Sequence, residues 1–107
     1  MNVQFKKGVL EMVVLLTLFK KNMYGYELVN EVSKVIKIQD GTIYPLLKRL
    51  TNEKYFETYL IESSEGPPRK YYKITTIGKK RARELKKEWH EFTGAISKFI
   101  KESEKDE

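Results

Sequence analysis

The chemistry-bearing residues of this chain are concentrated in one basic run. Between Gly66 and Arg83 stand Arg69, Lys70, Lys73, Lys79, Lys80, Arg81 and Arg83, with no aspartate or glutamate among them. The run opens on Gly66-Pro67-Pro68 and carries Tyr71 and Tyr72 directly after its first two cations. Cations beside aromatic rings suit a polyanion, either a phosphate backbone or an acidic surface. A solvated helix face would show the same charge, so the surroundings of the run must decide. Other chemistry lacks its parts. The single histidine, His90, has Lys86, Lys87 and Glu91 as helical neighbours, and there is no cysteine. A metal ion or an activated nucleophile would need a second histidine or a thiolate. No glycine-rich phosphate loop or dinucleotide fingerprint occurs. The sequence therefore reads as no enzyme, with no catalytic residue, no metal ligand and no cofactor to assign.

The elements that would position the basic run must fit in 107 residues, the size of one compact domain, with 40% hydrophobic and 34% charged residues and a net charge of +6. A core of that size is modest, and association between copies is a common remedy. The apolar stretch Val9–Phe19 contains Glu11 and is about half the roughly twenty residues a membrane span requires. Lys20-Lys21-Asn22 follows it where a signal peptide would place small residues for cleavage. A soluble, cytoplasmic chain with no membrane partner is the expectation, in keeping with the missing cysteines.

Periodicity divides the chain into four helices and a hairpin. The first helix, Gln4 to Lys20, is apolar nearly all round, so more than one side must be covered. One side suits its own domain and another, through Leu10 and Val14, a second subunit. The second helix spans about Tyr24 to Ile36, with Leu28, Val29, Val32, Val35 and Ile36 at three- and four-residue spacing. After Lys37-Ile38-Gln39, Asp40 is the expected N-cap of a third helix, whose Ile43, Leu46, Leu47 and Leu50 share a face. Pro45 removes one backbone bond and distorts the second turn without ending it. Two short helices on a tight link, the second turning basic residues outward, form a helix-turn-helix.

From Tyr55 the pattern changes to aromatic and β-branched runs, with Ser63–Pro68 as the turn between them. Tyr59, Leu60 and Ile61 are consecutive and leave the facing of the first strand open, whereas Tyr72 shares a face with Ile74 and points inward. The final helix starts at Thr75 or Thr76 and runs to about Lys101, before an acidic tail expected to fray. Along it Ala82, Leu85, Trp89, Phe92, Ile96 and Phe99 follow at spacings of 3, 4, 3, 4 and 3. That is a heptad seam, the pattern of a helix packing against a second copy. The expected dimer interface is Leu10, Val14, Leu85, Trp89, Phe92, Ile96 and Phe99. The fold class is mainly α with a β-hairpin: a winged helix-turn-helix over residues 1–75, and a long C-terminal dimerisation helix with its tail over residues 76–107.

Such an arrangement places the N-terminal residues of the second helix-turn-helix helix against base edges in the major groove. Here these are Gly41, Thr42, Tyr44 and Pro45, with Lys48 and Arg49 a turn or two further on, at phosphate positions. Tyr44 fits packing against the hairpin equally well. On the wing, Gly66 and Pro67 shape the tip, and Arg69 and Lys70 reach the neighbouring backbone or minor groove. The blocks YGYEL (Tyr24–Leu28), DGTIYPLLKRL (Asp40–Leu50) and ESSEGPPRKYYKIT (Glu62–Thr75), in that order, resemble the PadR family of bacterial transcriptional regulators. The resemblance covers nearly the whole chain and adds Tyr24 to the DNA-binding residues. It implies a homodimeric, nucleoid-associated regulator of double-stranded DNA, in most members a repressor. The single short C-terminal helix is similar to the family's smaller subgroup. In some of these small members a tryptophan on the last helix stacks on flat aromatic ligands, and Trp89, with Phe92 near it, falls at the matching place. The resemblance thus brings in a small hydrophobic or aromatic effector, although a seam position explains Trp89 without one. A winged-helix module binding protein or RNA, without specific DNA recognition, is the alternative.

Overall fold

The computed structural model describes residues 3–107, with side chains from residue 8 onward; Met1 and Asn2, where the expected DNA-binding unit begins, lie outside the described residues. The elements in chain order are α1 (Val3–Lys20), β1 (Met23–Tyr24), α2 (Gly25–Ser33), α3 (Asp40–Asn52), β2 (Phe56–Ser63), β3 (Gly66–Ile74) and α4 (Thr76–Glu104). The strands form one antiparallel sheet in the order β1-β3-β2. This is a winged helix-turn-helix, α2 and α3 followed by the β2–β3 wing, with α4 continuing beyond the body.

The core explains the near-continuous apolar character of α1. Leu10, Val14, Leu15 and Leu18 are all but inaccessible, packed with Leu28 and Val32 of α2, Ile43, Leu47 and Leu50 of α3, Phe56, Tyr72 and Ile74 of the sheet, and Ala82 of α4. Helices α2 and α4 and strand β3 of the same chain close around α1. This corrects the expected interface. Leu10 and Val14 are fully buried within one subunit, so neither has surface left for a partner. Phe56 meets Tyr72 edge-on at 6.1 Å between ring centres, and removing so large a buried ring costs about 3–5 kcal/mol.

Several boundaries differ from the periodic reading, each for a local reason. Helix α2 stops at Ser33, and Tyr24 leaves it for β1, where it faces Tyr71 across the sheet. Gln39, not Asp40, is the N-cap of α3: its carbonyl accepts from the Thr42 and Ile43 amides at 2.9 and 3.2 Å. Asp40 instead supplies an acid to the first turn, where the helix dipole favours one. The hairpin turn is only Ser64-Glu65, and Gly66, Pro67 and Pro68 belong to β3. Two consecutive prolines are tolerated there because neither side demands both N–H groups: β1 pairs with β3 only at Tyr71 and Tyr72, and the β2 pairing is irregular between Ile61 and Ser63, opposite Pro67 and Pro68. Tyr59, Leu60 and Ile61 are all exposed, as the wing projects past the core that would cover one face. The tail stays helical to Glu104, beyond the expected end at Lys101.

Two junctions hold the wing to the helices. Helix α3 ends with Tyr55 N–H donating to the Leu50 carbonyl and Lys54 N–H to that of Thr51, both at 3.0 Å. This closure puts Lys54 in the left-handed region, φ 69°, where glycine is the usual occupant. At the other end, Thr75 caps α4: its Oγ1 accepts from Gly78 N–H at 3.1 Å and donates to the Lys54 carbonyl at 2.6 Å. Gly78 packs so close to the Tyr55 backbone that a Cβ would run into its carbonyl oxygen.

Helix α4 is 29 residues, about 43 Å at 1.5 Å per residue. Gly78, Ala82 and Leu85 fasten its first part to the core. Further along, Phe92, Ile96 and Phe99 are 55%, 44% and 70% exposed, so the second half of the seam is uncovered in the single chain. Among the described residues no helix is long and apolar enough to cross a membrane.

Gly78→Ala is expected to destabilise the chain by about 1–3 kcal/mol, because backbone must move to admit the methyl. Lys54→Gly is expected to stabilise it by up to about 1 kcal/mol by relieving the left-handed residue. Thermal and urea unfolding of the two variants check both signs.

Candidate nucleic-acid interface

The outward surface of α3 divides into two flanks. Tyr44, Lys48 and Asn52 recur at four-residue spacing, the repeat that stacks side chains in one row along a helix. Together with Thr51 they face Lys70 and Tyr72 of β3 across a cleft of about 360 Å³. Recognition helix and wing thus form one concave surface, with Lys48 on one wall and Lys70 on the other. Neither lysine is paired with a carboxylate among the described residues. Tyr72 anchors the floor: burial, with Tyr44 nearby, pushes its phenol above the ordinary tyrosine range and keeps it neutral.

Thr42, Pro45, Leu46 and Arg49 lie on the second flank, around a smaller cleft of about 200 Å³ that reaches Leu10 of α1. Arg49, expected at a phosphate position, is held by carboxylates of its own chain. Its guanidinium donates to Glu53 Oε1 at 3.0 Å and to Glu11 Oε2 at 3.2 Å. Partial burial works against the charge, and the Glu53 and Glu11 carboxylates outweigh it, holding Arg49 above its ordinary range. Arg49 is thus paired within the chain, whereas Lys48 beside it has no carboxylate partner among the described residues. Asn52, which sequence reasoning missed, completes the row; its four-residue spacing from Lys48 and Tyr44 was the available signal.

Gly41 sits in the first turn of α3, exposed, and a Cβ there would meet nothing within 4 Å. Packing within the chain therefore gives no reason for a glycine, in contrast to Gly78. The left-handed region is not the reason either, since no glycine has positive φ among the described residues.

The opposite face of the sheet carries an aromatic ladder. Tyr59 stacks on Tyr71 at 5.5 Å between ring centres, Tyr71 meets Tyr24 at 5.7 Å, and Tyr24 lies 6.3 Å from Tyr26. Arg69 places its guanidinium 4.7 Å from the centre of the Tyr24 ring, a cation–π contact that orients the charge without cancelling it. Asn22 Nδ2 donates to the Tyr59 hydroxyl at 3.0 Å. Arg69 and Lys70, adjacent in sequence, therefore emerge on opposite faces of the wing. The structure brings Tyr24 to Arg69, and brings Tyr44 and Lys48 to Lys70. Gly66 and Pro67 are exposed at the far end of β3.

A third cleft, about 400 Å³, lies away from the wing between α1 and α4. Gly8, Val9 and Met12 line one side, and Leu85, Glu88, Trp89 and Phe92 the other. Its wall is almost entirely apolar. Among the described residues no group of histidine, cysteine or carboxylate side chains is placed to hold a metal ion.

A helix-turn-helix whose second helix and basic wing share one concave surface is the architecture of a winged-helix DNA-binding protein. The family model of the PadR-like transcriptional regulators matches residues 14–84. The chain belongs to that family, one of regulators and not of enzymes. It is 36% identical over 98 residues to an uncharacterized protein of Lysinibacillus sphaericus, covering 88% of this chain and 90% of the other. The crystal structure of a PadR-like transcriptional regulator from Bacillus cereus is similar at 38% identity and a TM-score of 0.80, covering 91% of this chain and 96% of that one. A Streptococcus transcriptional regulator gives 32% identity and a TM-score of 0.82, with 92% and 99% covered.

Gly41→Ala is expected to leave the fold intact and to raise stability by up to about 1 kcal/mol, as alanine does in helices, while weakening duplex DNA binding by obstructing backbone approach. Unfolding curves and fluorescence anisotropy on one preparation test both halves. Lys48→Ala and Lys70→Ala should each weaken binding to all duplexes alike and lower the salt-dependence slope by about 1, whereas Arg49→Ala should leave that slope unchanged.

Proposed function

We propose that this chain is a homodimeric, sequence-specific transcriptional repressor acting in the bacterial cytoplasm. It binds a palindromic operator whose half-sites lie about one helical turn apart, near 10 bp, or a multiple of that spacing. The observation that carries the DNA-binding reading is the shared cleft, with Tyr44, Lys48 and Asn52 facing Lys70. An unpaired lysine on each wall of a groove suits a phosphate backbone entering it. Dimerisation is supported by the exposed half of the α4 seam: Phe92, Ile96 and Phe99 continue the heptad spacing and are left uncovered by the described residues. In this reading residues 1–75 bind DNA, residues 76–107 pair the subunits, and the single C-terminal helix places the chain in the smaller subgroup of its family.

The apolar cleft between α1 and α4 is the proposed place for an effector, a planar hydrophobic or aromatic molecule against Trp89 and Phe92. An apolar lining that ends at two aromatic rings favours such a ligand. To regulate, it must bind the DNA-competent and incompetent arrangements with different affinity.

Light scattering should give twice the mass of one chain. Gel shifts at low salt should show preference for the duplex upstream of the chain's own gene over random duplex, with affinity falling steeply as salt rises. Equal affinity for both duplexes would favour a protein- or RNA-binding module, and a monomer would overturn the two-fold operator. Quenching of Trp89 fluorescence by planar aromatic compounds tests the effector cleft.

A further inference from the structure

Glu11 is a buried carboxylate that neither the DNA surface nor the apolar cleft uses. It stands on α1 among leucines, and each of its oxygens faces a different arginine. Oε2 accepts from Arg49 Nη2 of α3 at 3.2 Å, and Oε1 accepts from Arg81 Nε of α4 at 3.3 Å. The partners lie 38 and 70 positions away in the chain. The other ion pairs among the described residues join groups three, four or six residues apart. One carboxylate therefore ties the helix that reads DNA to the helix that carries the dimer seam.

Stability alone explains this arrangement poorly. A buried ion pair gains little over well-packed apolar groups, because removing the charges from water costs as much as their attraction returns. Both arginines keep part of their side chain in solvent and would be hydrated without Glu11. What the bridge does supply is direction. Apolar packing alone lets helices slide and rotate by small amounts, whereas two hydrogen bonds from one planar group fix α3 and α4 against a common point. Met12, the next residue, lines the apolar cleft with Leu85 and Trp89, so the bridge also lies beside the place where α1 and α4 would be pushed apart.

We propose that Glu11 is a positioning residue: through Arg49 and Arg81 it fixes the angle of α3 to α4, and so the separation of the two recognition helices in a dimer. This rests on the reading of the chain as a two-fold DNA binder. Its consequence falls on geometry, not on contact with DNA. Binding to a single half-site uses one recognition helix and does not sense the bridge. Binding to two half-sites at fixed spacing does.

The test compares the full chain with Glu11→Gln and Arg81→Gln on three duplexes: the operator, the same operator with one base pair added between half-sites, and an isolated half-site. Glutamine keeps the shape of Glu11 and removes its charge. Both variants should fold and dimerise, shift affinity for all three duplexes by one common factor set by the change in charge, and, beyond that factor, lose about tenfold of the preference for native over altered spacing. The double variant should lose no more than either single one, because both cut the same link. Folded variants with an unchanged spacing preference would overturn the proposal. Should Glu11→Gln fail to fold, Arg81→Gln, on a partly exposed side chain, carries the same measurement. A wild-type chain with no spacing preference would overturn the two-fold reading and the bridge with it, which separates the two failures.

Discussion

The constraint on which the rest of this structure depends is the burial of α1. A helix with apolar residues on almost every side has no stable place at a surface. Here α2, α4 and β3 are arranged around it; Leu10, Val14, Leu15 and Leu18 are nearly inaccessible, and Val13, Leu16 and Phe19 are partly buried against them. The recognition helix rests on the same core through Ile43, Leu47 and Leu50. Because α1 is the shared support, both α3 and α4 take their positions from it. Glu11, the one buried charged side chain among the described residues, is also where the two helices are joined ionically.

Residues around the binding surface separate into those that maintain the fold and those that face away from it. Gly78 and Gly41 are both glycines at the starts of helices, yet only Gly78 has backbone pressed against it. Arg49 and Lys48 are adjacent cations on α3, yet among the described residues only Arg49 is paired with carboxylates of its own chain. Arg69 and Lys70 leave the wing on opposite faces, one oriented by a tyrosine ring and one open to the cleft. Side-chain direction, more than residue type, decides which of each pair is available to a polyanion.

Much of this architecture was legible in the sequence, and the exceptions have physical causes. Helical period located all four helices, and the switch to alternating aromatic and β-branched residues located the wing. A two-residue strand such as β1 has no period to detect, so Tyr24 read as helix. The prolines read as a turn because their usual place is one; the shortness of β1 and the irregular β2 register opposite them make room for them in a strand. Leu10 and Val14 read as interface because periodicity reports that a helix is covered on several sides without saying by which chain. Glu53, four residues after Arg49, marked their local pair, which the reading of Arg49 left out. The Glu11 bridge was not legible, since nothing local links positions 38 and 70 residues apart.

The same prolines have a consequence at the edge of the sheet. Beyond Tyr71 the outer side of β3 has no neighbour, and an unpaired strand edge is a template for another chain. Pro67 and Pro68 carry no N–H, so that stretch offers an incoming strand an incomplete ladder. The other edge, β2, carries Glu57 and Glu62, and its register slips between Ile61 and Ser63, a charged and irregular border that pairs poorly. A projecting hairpin with exposed Leu60 and Ile61 would otherwise be the aggregation-prone part of the molecule. Its borders keep it apart from other sheets, so that it stays available as a single wing.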